Sequence, residues 1–211
     1  MPETRIKICG LSTPETLDAA VAAGATHVGL VHYPPSPRHV SLEQAAALRA
    51  RVPREVKVVL LLVNEQPEPT AQAIQAVRPD VVQFHGNETP EWLALLKQNL
   101  PLEIWKAIGV SEIANLERAQ RYKDAAHMLL YDAPAKKLPG GTGLAFDWSL
   151  LANFRHTMPW GLAGGLTPAT VGEAIRLTGA PLVDASTGVE SAPGVKDVDK
   201  IAAFCQAARS R

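Results

Sequence analysis

Few side chains in this sequence are suited to chemistry, and most of them follow a short apolar run. Cys9 follows Ile6-Lys7-Ile8, His85 follows Phe84, Asp132 follows Tyr131, and Asp184 follows Val183. A thiol or carboxyl group can move a proton once burial or neighbouring charge has tuned its pKa. Arg38 stands in a stretch stiffened by Pro34, Pro35 and Pro37. Its guanidinium can meet a carboxylate through two parallel hydrogen bonds and lie against a flat ring. The Gly164-Gly165 pair and the Ser186-Thr187-Gly188 turn suit another task, because backbone amides there can surround a phosphate without side-chain charge. Plainer readings stand beside these. A lone cysteine is usually a small buried hydrophobe, and that is the reading for Cys205 among Ala202, Ala203, Phe204 and Ala207. Asp132 could cap a loop, Asp184 could compete with it for an acid's role, and His85 could be satisfied by backbone groups. His85, Asp132 and Asp184 are a thin set for a metal centre, so no metal is expected.

The elements that must position these groups emerge from hydrophobic periodicity. Apolar runs at Arg5 to Cys9, Thr26 to Val31, Val56 to Val63, Asp80 to Phe84, Glu103 to Ile108, His127 to Tyr131, Trp160 to Ala163 and Pro181 to Asp184 predict eight strands. Amphipathic patterns near 14–23, 41–50, 67–77, 90–99, 112–121, 147–154, 168–177 and 197–209 predict eight helices. Thr13-Pro14, Thr89-Pro90 and Thr167-Pro168 each offer a hydroxyl N-cap with proline at the first helical position. Ser41 with Gln44 forms a capping box, and Gly24 and Gly179 sit where helices should stop. Continuous runs such as Val58 to Val63 fit strands buried on both faces of a parallel sheet. Eight right-handed crossovers close a barrel. An open doubly wound sheet would suit the same alternation, but its glycine fingerprint is missing after the first strand. The expected fold is a single (βα)8 TIM barrel spanning 1–211, whose site lies at the carboxyl ends of the strands. Lys136, Lys137 and Gly140 to Gly143, with Gly141 at their centre, fall in a long loop after Asp132 that reads as a mobile lid. Lys106 is expected to face the outer helices and reach solvent, outside the site.

Composition narrows the partners. The 211 residues carry 21 Lys+Arg against 21 Asp+Glu, which argues against a nucleic-acid binder. The longest strictly aliphatic run, Val58 to Val63, is far too short to span a bilayer, and the first residues lack the pattern of a secretory signal. A cytoplasmic protein is expected. Two cysteines are too few for a disulfide framework.

The motifs taken together carry more. Lys7-Ile8-Cys9-Gly10, Ser36-Pro37-Arg38, Gln83-Phe84-His85-Gly86, Gly140-Gly141-Thr142-Gly143, Gly164-Gly165-Leu166 and Ser186-Thr187-Gly188-Val189-Glu190, followed by Pro193-Gly194 and Lys196-Asp197, resemble phosphoribosylanthranilate isomerase of tryptophan biosynthesis. The resemblance implies an Amadori rearrangement of a phosphorylated aminosugar, with no cofactor, by a monomer or homodimer. It makes Asp132 the general acid and Cys9 the general base, and it places Arg38, His85, Gly141, Gly164, Gly165, Asp184, Ser186, Thr187 and Gly188 around the substrate. The competing functions are a histidine-pathway-type aminoaldose isomerase, which typically uses two aspartates, and a phosphate-binding barrel without catalysis.

Overall fold

A computed structural model describes residues 3–134 and 147–210. The predicted lid, including Lys136, Lys137 and Gly141, lies outside the described residues. Eight parallel strands close a barrel in sequence order, the eighth pairing with the first. They are β1 (Arg5–Cys9), β2 (His27–Val31), β3 (Lys57–Leu62), β4 (Val81–Phe84), β5 (Glu103–Gly109), β6 (Met128–Asp132), β7 (Trp160–Leu162) and β8 (Leu182–Ala185). Around them lie α1 (Pro14–Ala22), α2 (Leu42–Arg49), α3 (Pro67–Val77), α4 (Pro90–Asn99), α5 (Ile113–Ala119), α6 (Ser149–Ala152), α7 (Val171–Thr178) and α8 (Val198–Arg209). After β8 the chain adds an antiparallel hairpin that periodicity does not reveal, β9 (Glu190–Ala192) with β10 (Val195–Lys196).

Local signals set most boundaries. Thr13 and Thr89 accept the amides of Thr16 and Trp92, with proline opening the helix behind each, and Ser41 and Gln44 form both halves of the capping box. Gly179 ends α7 in the left-handed conformation, at φ +66°. The Thr167-Pro168 expectation is corrected. Thr170 Oγ1 accepts the Thr167 amide at 3.0 Å, which holds residues 168–170 in a turn, and α7 starts at Val171. The Thr167 hydroxyl meets the Thr170 hydroxyl, 3.0 Å away, instead of a helix amide.

Because side chains alternate along each strand, two apolar layers result. Outward residues such as Ile6, Ile8, Val28, Leu30, Leu60 and Phe84 pack with Leu17, Leu48, Leu93 and Phe204 of the helices in one cluster. Inward residues Val59, Val81, Trp105, Met128, Leu130 and Leu182 form a separate cluster. Each fully buried aliphatic side chain contributes about 1.5–3 kcal/mol relative to exposure. Cys205 is buried in the outer cluster at 1% exposure, as a small hydrophobe.

Candidate active site

At the carboxyl ends of the strands, where sites of this fold form, lies an open cleft. Cys9 ends β1 on its floor. Gly29 of β2 lies opposite, where an added Cβ would come within 2.8 Å of the Cys9 sulfur; only glycine leaves the thiol room. Burial pushes the Cys9 thiol up from its ordinary pKa, against the pull of Lys7 and Lys196. Burial prevails.

Asp132 ends β6 in the same cleft. Its Oδ1 accepts the Ala133 amide at 2.7 Å, and its Oδ2 lies 3.3 Å from His85 Nε2. His85 Nδ1 is in turn 3.5 Å from Gln83 Nε2, at the outer limit of a hydrogen bond. A row therefore runs from buried Gln83 through half-buried His85 to buried Asp132. Behind it Lys106 is fully enclosed and does not reach solvent, contrary to expectation. Its ammonium donates to Gly86 O at 2.7 Å and pairs with Glu88, 3.1 Å away, and Glu88 accepts the amides of Asn64 and Gly86. Lys106 faces the helix layer but secures the loop that follows His85.

Two ion clusters complete the mouth. Asp184 Oδ2 accepts from Lys7 Nζ at 2.7 Å, while its Oδ1 is buried without a hydrogen-bond partner among the described residues. Burial raises the Asp184 pKa against the pull of Lys7. For Lys7 burial acts downward, but Asp184 and Cys9 outweigh it and keep the ammonium charged. In the other cluster Arg38 grips Glu190 with Nε at 2.9 Å and Nη2 at 2.7 Å, and Lys196 Nζ reaches the same carboxylate at 2.6 Å. Glu190 and Lys196 come from the two strands of the added hairpin. That hairpin thus locks the Arg38 loop across the mouth.

The seventh and eighth loops share one wall. Gly164 and Gly165 both have left-handed backbones, at φ +85° and +68°. An added Cβ on Gly188 would lie 1.8 Å from Leu166 O, so the two loops are in backbone contact. Gly164, Gly165, Ser186 and Thr187 line the cleft beside Cys9, Arg38, His85, Asp132 and Asp184.

The family model described as N-(5'phosphoribosyl)anthranilate (PRA) isomerase matches residues 6–207. The chain belongs to this isomerase family. A protein of Erythrobacter litoralis named N-(5'-phosphoribosyl)anthranilate isomerase is 68% identical over 207 residues, 98% of this chain and 99% of that one. One of the same name from Paracoccus denitrificans is 52% identical, covering 94% of each. Among solved structures, phosphoribosyl anthranilate isomerase from Thermotoga maritima superposes with a TM-score of 0.90 at 35% identity, covering 99% of this chain and 100% of that one. A second structure, of phosphoribosyl anthranilate isomerase in complex with reduced 1-(o-carboxyphenylamino)-1-deoxyribulose 5-phosphate, scores 0.86 at 35% identity with the same coverage.

In this PRA isomerase family member, nine of the eleven residues expected around the substrate line one cleft. Gly188 stands just behind the wall, and Gly141 lies outside the described residues. Sequence reasoning missed Lys7, Gln83, Glu190 and Lys196. For Lys7 and Gln83 a signal existed, since each sits two residues before an expected site residue and therefore on the same strand face. Glu190 and Lys196 gave none beyond their motif, because their role depends on a hairpin folding back onto a loop some 150 residues earlier. Among the described residues, no group of three or more His, Cys, Asp or Glu side chains is placed to hold a metal ion.

Proposed function

We infer that this chain catalyses the Amadori rearrangement of N-(5'-phosphoribosyl)anthranilate to 1-(2-carboxyphenylamino)-1-deoxyribulose 5-phosphate in tryptophan biosynthesis, with Asp132 as general acid and Cys9 as general base. The observation that carries this reading is that Cys9 and Asp132, three strands apart around the barrel, open into one cleft between a two-glycine loop and a buried arginine. A substrate with a phosphate at one end and an anthranilate carboxylate at the other spans that cleft. Its phosphate takes the wall of Gly164, Gly165 and Ser186 to Gly188, and its carboxylate takes the Arg38 side. A proton held between His85 Nε2 and Asp132 Oδ2 goes to the furanose oxygen, the ring opens to a Schiff base, and Cys9 takes the proton from C2'. The buried, unpartnered Oδ1 of Asp184 accepts a ribose hydroxyl, which supplies its missing hydrogen bond.

The site works without a cofactor, on a small molecule, in the cytoplasm. No helix among the described residues is long and apolar enough to cross a membrane. The assembly is a monomer or a homodimer; a 35% identical relative from Thermotoga maritima is described as dimeric. The test is to add purified protein to phosphoribosylanthranilate generated in situ and follow its fluorescence. Catalysed loss of the signal, unchanged by EDTA, is the expected result. Binding of the substrate with no loss of fluorescence would instead make the chain a phosphate-binding barrel.

A further inference from the structure

Cys9 is surrounded by charges that acid–base chemistry alone does not explain. Lys7 acts on it from its own strand, Asp184 from β8, Lys196 from β10 and Arg38 from the loop after β2. Gly29 of β2 offers its sulfur only backbone. With Glu190, all of these charged groups are buried, so each is costly unless a partner meets it.

The cations differ in what they have left to give. An ammonium carries three donors. Lys196 Nζ spends all three, on Ser186 O at 3.0 Å, Ser186 Oγ at 3.3 Å and Glu190 Oε1 at 2.6 Å. Arg38 gives Nε and one Nη2 hydrogen to Glu190, which leaves its Nη1 side for the substrate carboxylate. Lys7, at 0% exposure, spends one donor on Asp184 Oδ2, and the other polar group it acts on is Cys9, two residues along the same strand face. We propose that Lys7 is the counter-ion of Cys9, a positioning residue whose buried ammonium bridges the Asp184 carboxylate and the Cys9 thiolate. The proposal rests on Cys9 being the base and says how that base holds its charge out of water.

The test uses Cys205→Ala protein, so that Cys9 is the sole thiol, and follows its alkylation by iodoacetamide across pH by peptide mass spectrometry. Lys7→Met is expected to raise the pH midpoint of alkylation by about one to two units. The thiolate fraction, and with it kcat at neutral pH, then falls about 10- to 100-fold, a loss that higher pH recovers as the thiolate forms. Asp184→Asn should move the midpoint the other way, since it frees the ammonium for the sulfur. Because Lys7→Met strands the Asp184 carboxylate, the charge-neutral Lys7→Met/Asp184→Asn variant is measured beside it. Its midpoint should still lie above that of the parent, since Lys7 acts on Cys9 more strongly than Asp184 does. An unmoved midpoint in Lys7→Met and the double variant, or shifts of one sign in Lys7→Met and Asp184→Asn, would overturn the proposal. Failure of the base itself looks different: Cys9→Ala would keep its turnover while the opposed midpoint shifts persisted.

Discussion

Along β6 the inward side chains read Met128, Leu130, Asp132, and along β8 they read Leu182, Asp184; each strand begins in an apolar layer and ends in a charged one. The amino-terminal half of the interior is filled by Val59, Val81, Trp105, Met128, Leu130 and Leu182, with His27 5.2 Å from Trp105. The carboxyl-terminal half holds buried Lys7, Arg38, Asp132, Asp184, Glu190 and Lys196. Both sets of side chains are buried, yet one buries hydrocarbon, which stabilises, and the other buries ion pairs, which often contribute little net stability. The lower half holds the barrel closed so that the upper half can keep its charges in place. Mutations should therefore separate the two halves, with activity lost at the top and stability at the bottom.

The largest effect should be at the top. Cys9→Ala and Asp132→Asn are each expected to lower kcat by about 10² to 10⁴, with a urea midpoint close to wild type. Cys205→Ala, buried among the helices, is the control and should leave activity unchanged. Near-normal turnover in Cys9→Ala would remove the base and end the division of labour at that strand.

At the bottom the sharpest probe is pH. Burial, reinforced by Arg5, Lys7 and Lys57, lowers the His27 pKa to about 3. The unfolded chain, with His27 near 6.5, binds the extra proton between those values, so stability falls as pH drops from 6.5 towards 3 and loses nothing further below that. Between pH 7 and 4.5 this one group should remove about 2–3 kcal/mol. Urea unfolding of wild type against His27→Leu at the two pH values measures it, and equal pH slopes in the two proteins would show that His27 is not the source.

Leu130→Ala tests the same layer without charge. The side chain is fully buried, and removing it should destabilise by about 2–5 kcal/mol. kcat measured well below the melting temperature should stay within about 3-fold of wild type. A large loss of kcat in this variant would mean that the apolar layer also sets the geometry of the mouth, and the division would blur.

The two halves were also unequally legible in the sequence. The barrel could be read because continuous runs such as Val58 to Val63 and caps such as Thr13 and Ser41 are local signals, and all eight strands fall where the periodicity puts them. Strand-end residues Cys9, Asp132 and Asp184 were legible for the same reason. What could not be read was pairing. Nothing local in Glu190 says that it will meet Arg38, or in Lys106 that it will end on Glu88 instead of in solvent. Where Pro168 promised a helix start, a bond from the Thr167 amide to the Thr170 hydroxyl holds a turn, and the helix begins at Val171. Ion pairs between distant segments are decided by the finished fold.

Arg38 shows what such a pairing does to function, and it carries the smallest of the expected effects. From sequence its fork was free for a substrate carboxylate, but the structure spends Nε and one Nη2 donor on Glu190. A guanidinium has five N–H donors, so three remain, and in the proposed orientation the substrate carboxylate meets the Nη1 side. Glu190 fixes the plane of the group before substrate arrives, which lowers the ordering cost of binding. Arg38→Lys supplies one point charge that Glu190 will claim, leaving the carboxylate with little. KM should rise about 10-fold, the loss of about 1.4 kcal/mol expected for one charge-assisted hydrogen bond, with kcat little changed. Arg38→Ala should raise it further. Affinity for ribose 5-phosphate, which lacks the anthranilate ring, should be unchanged in both variants when measured by calorimetry. Equal loss of both affinities would show that Arg38 serves the phosphate or the loop itself, and the substrate would then lie the other way round in the cleft.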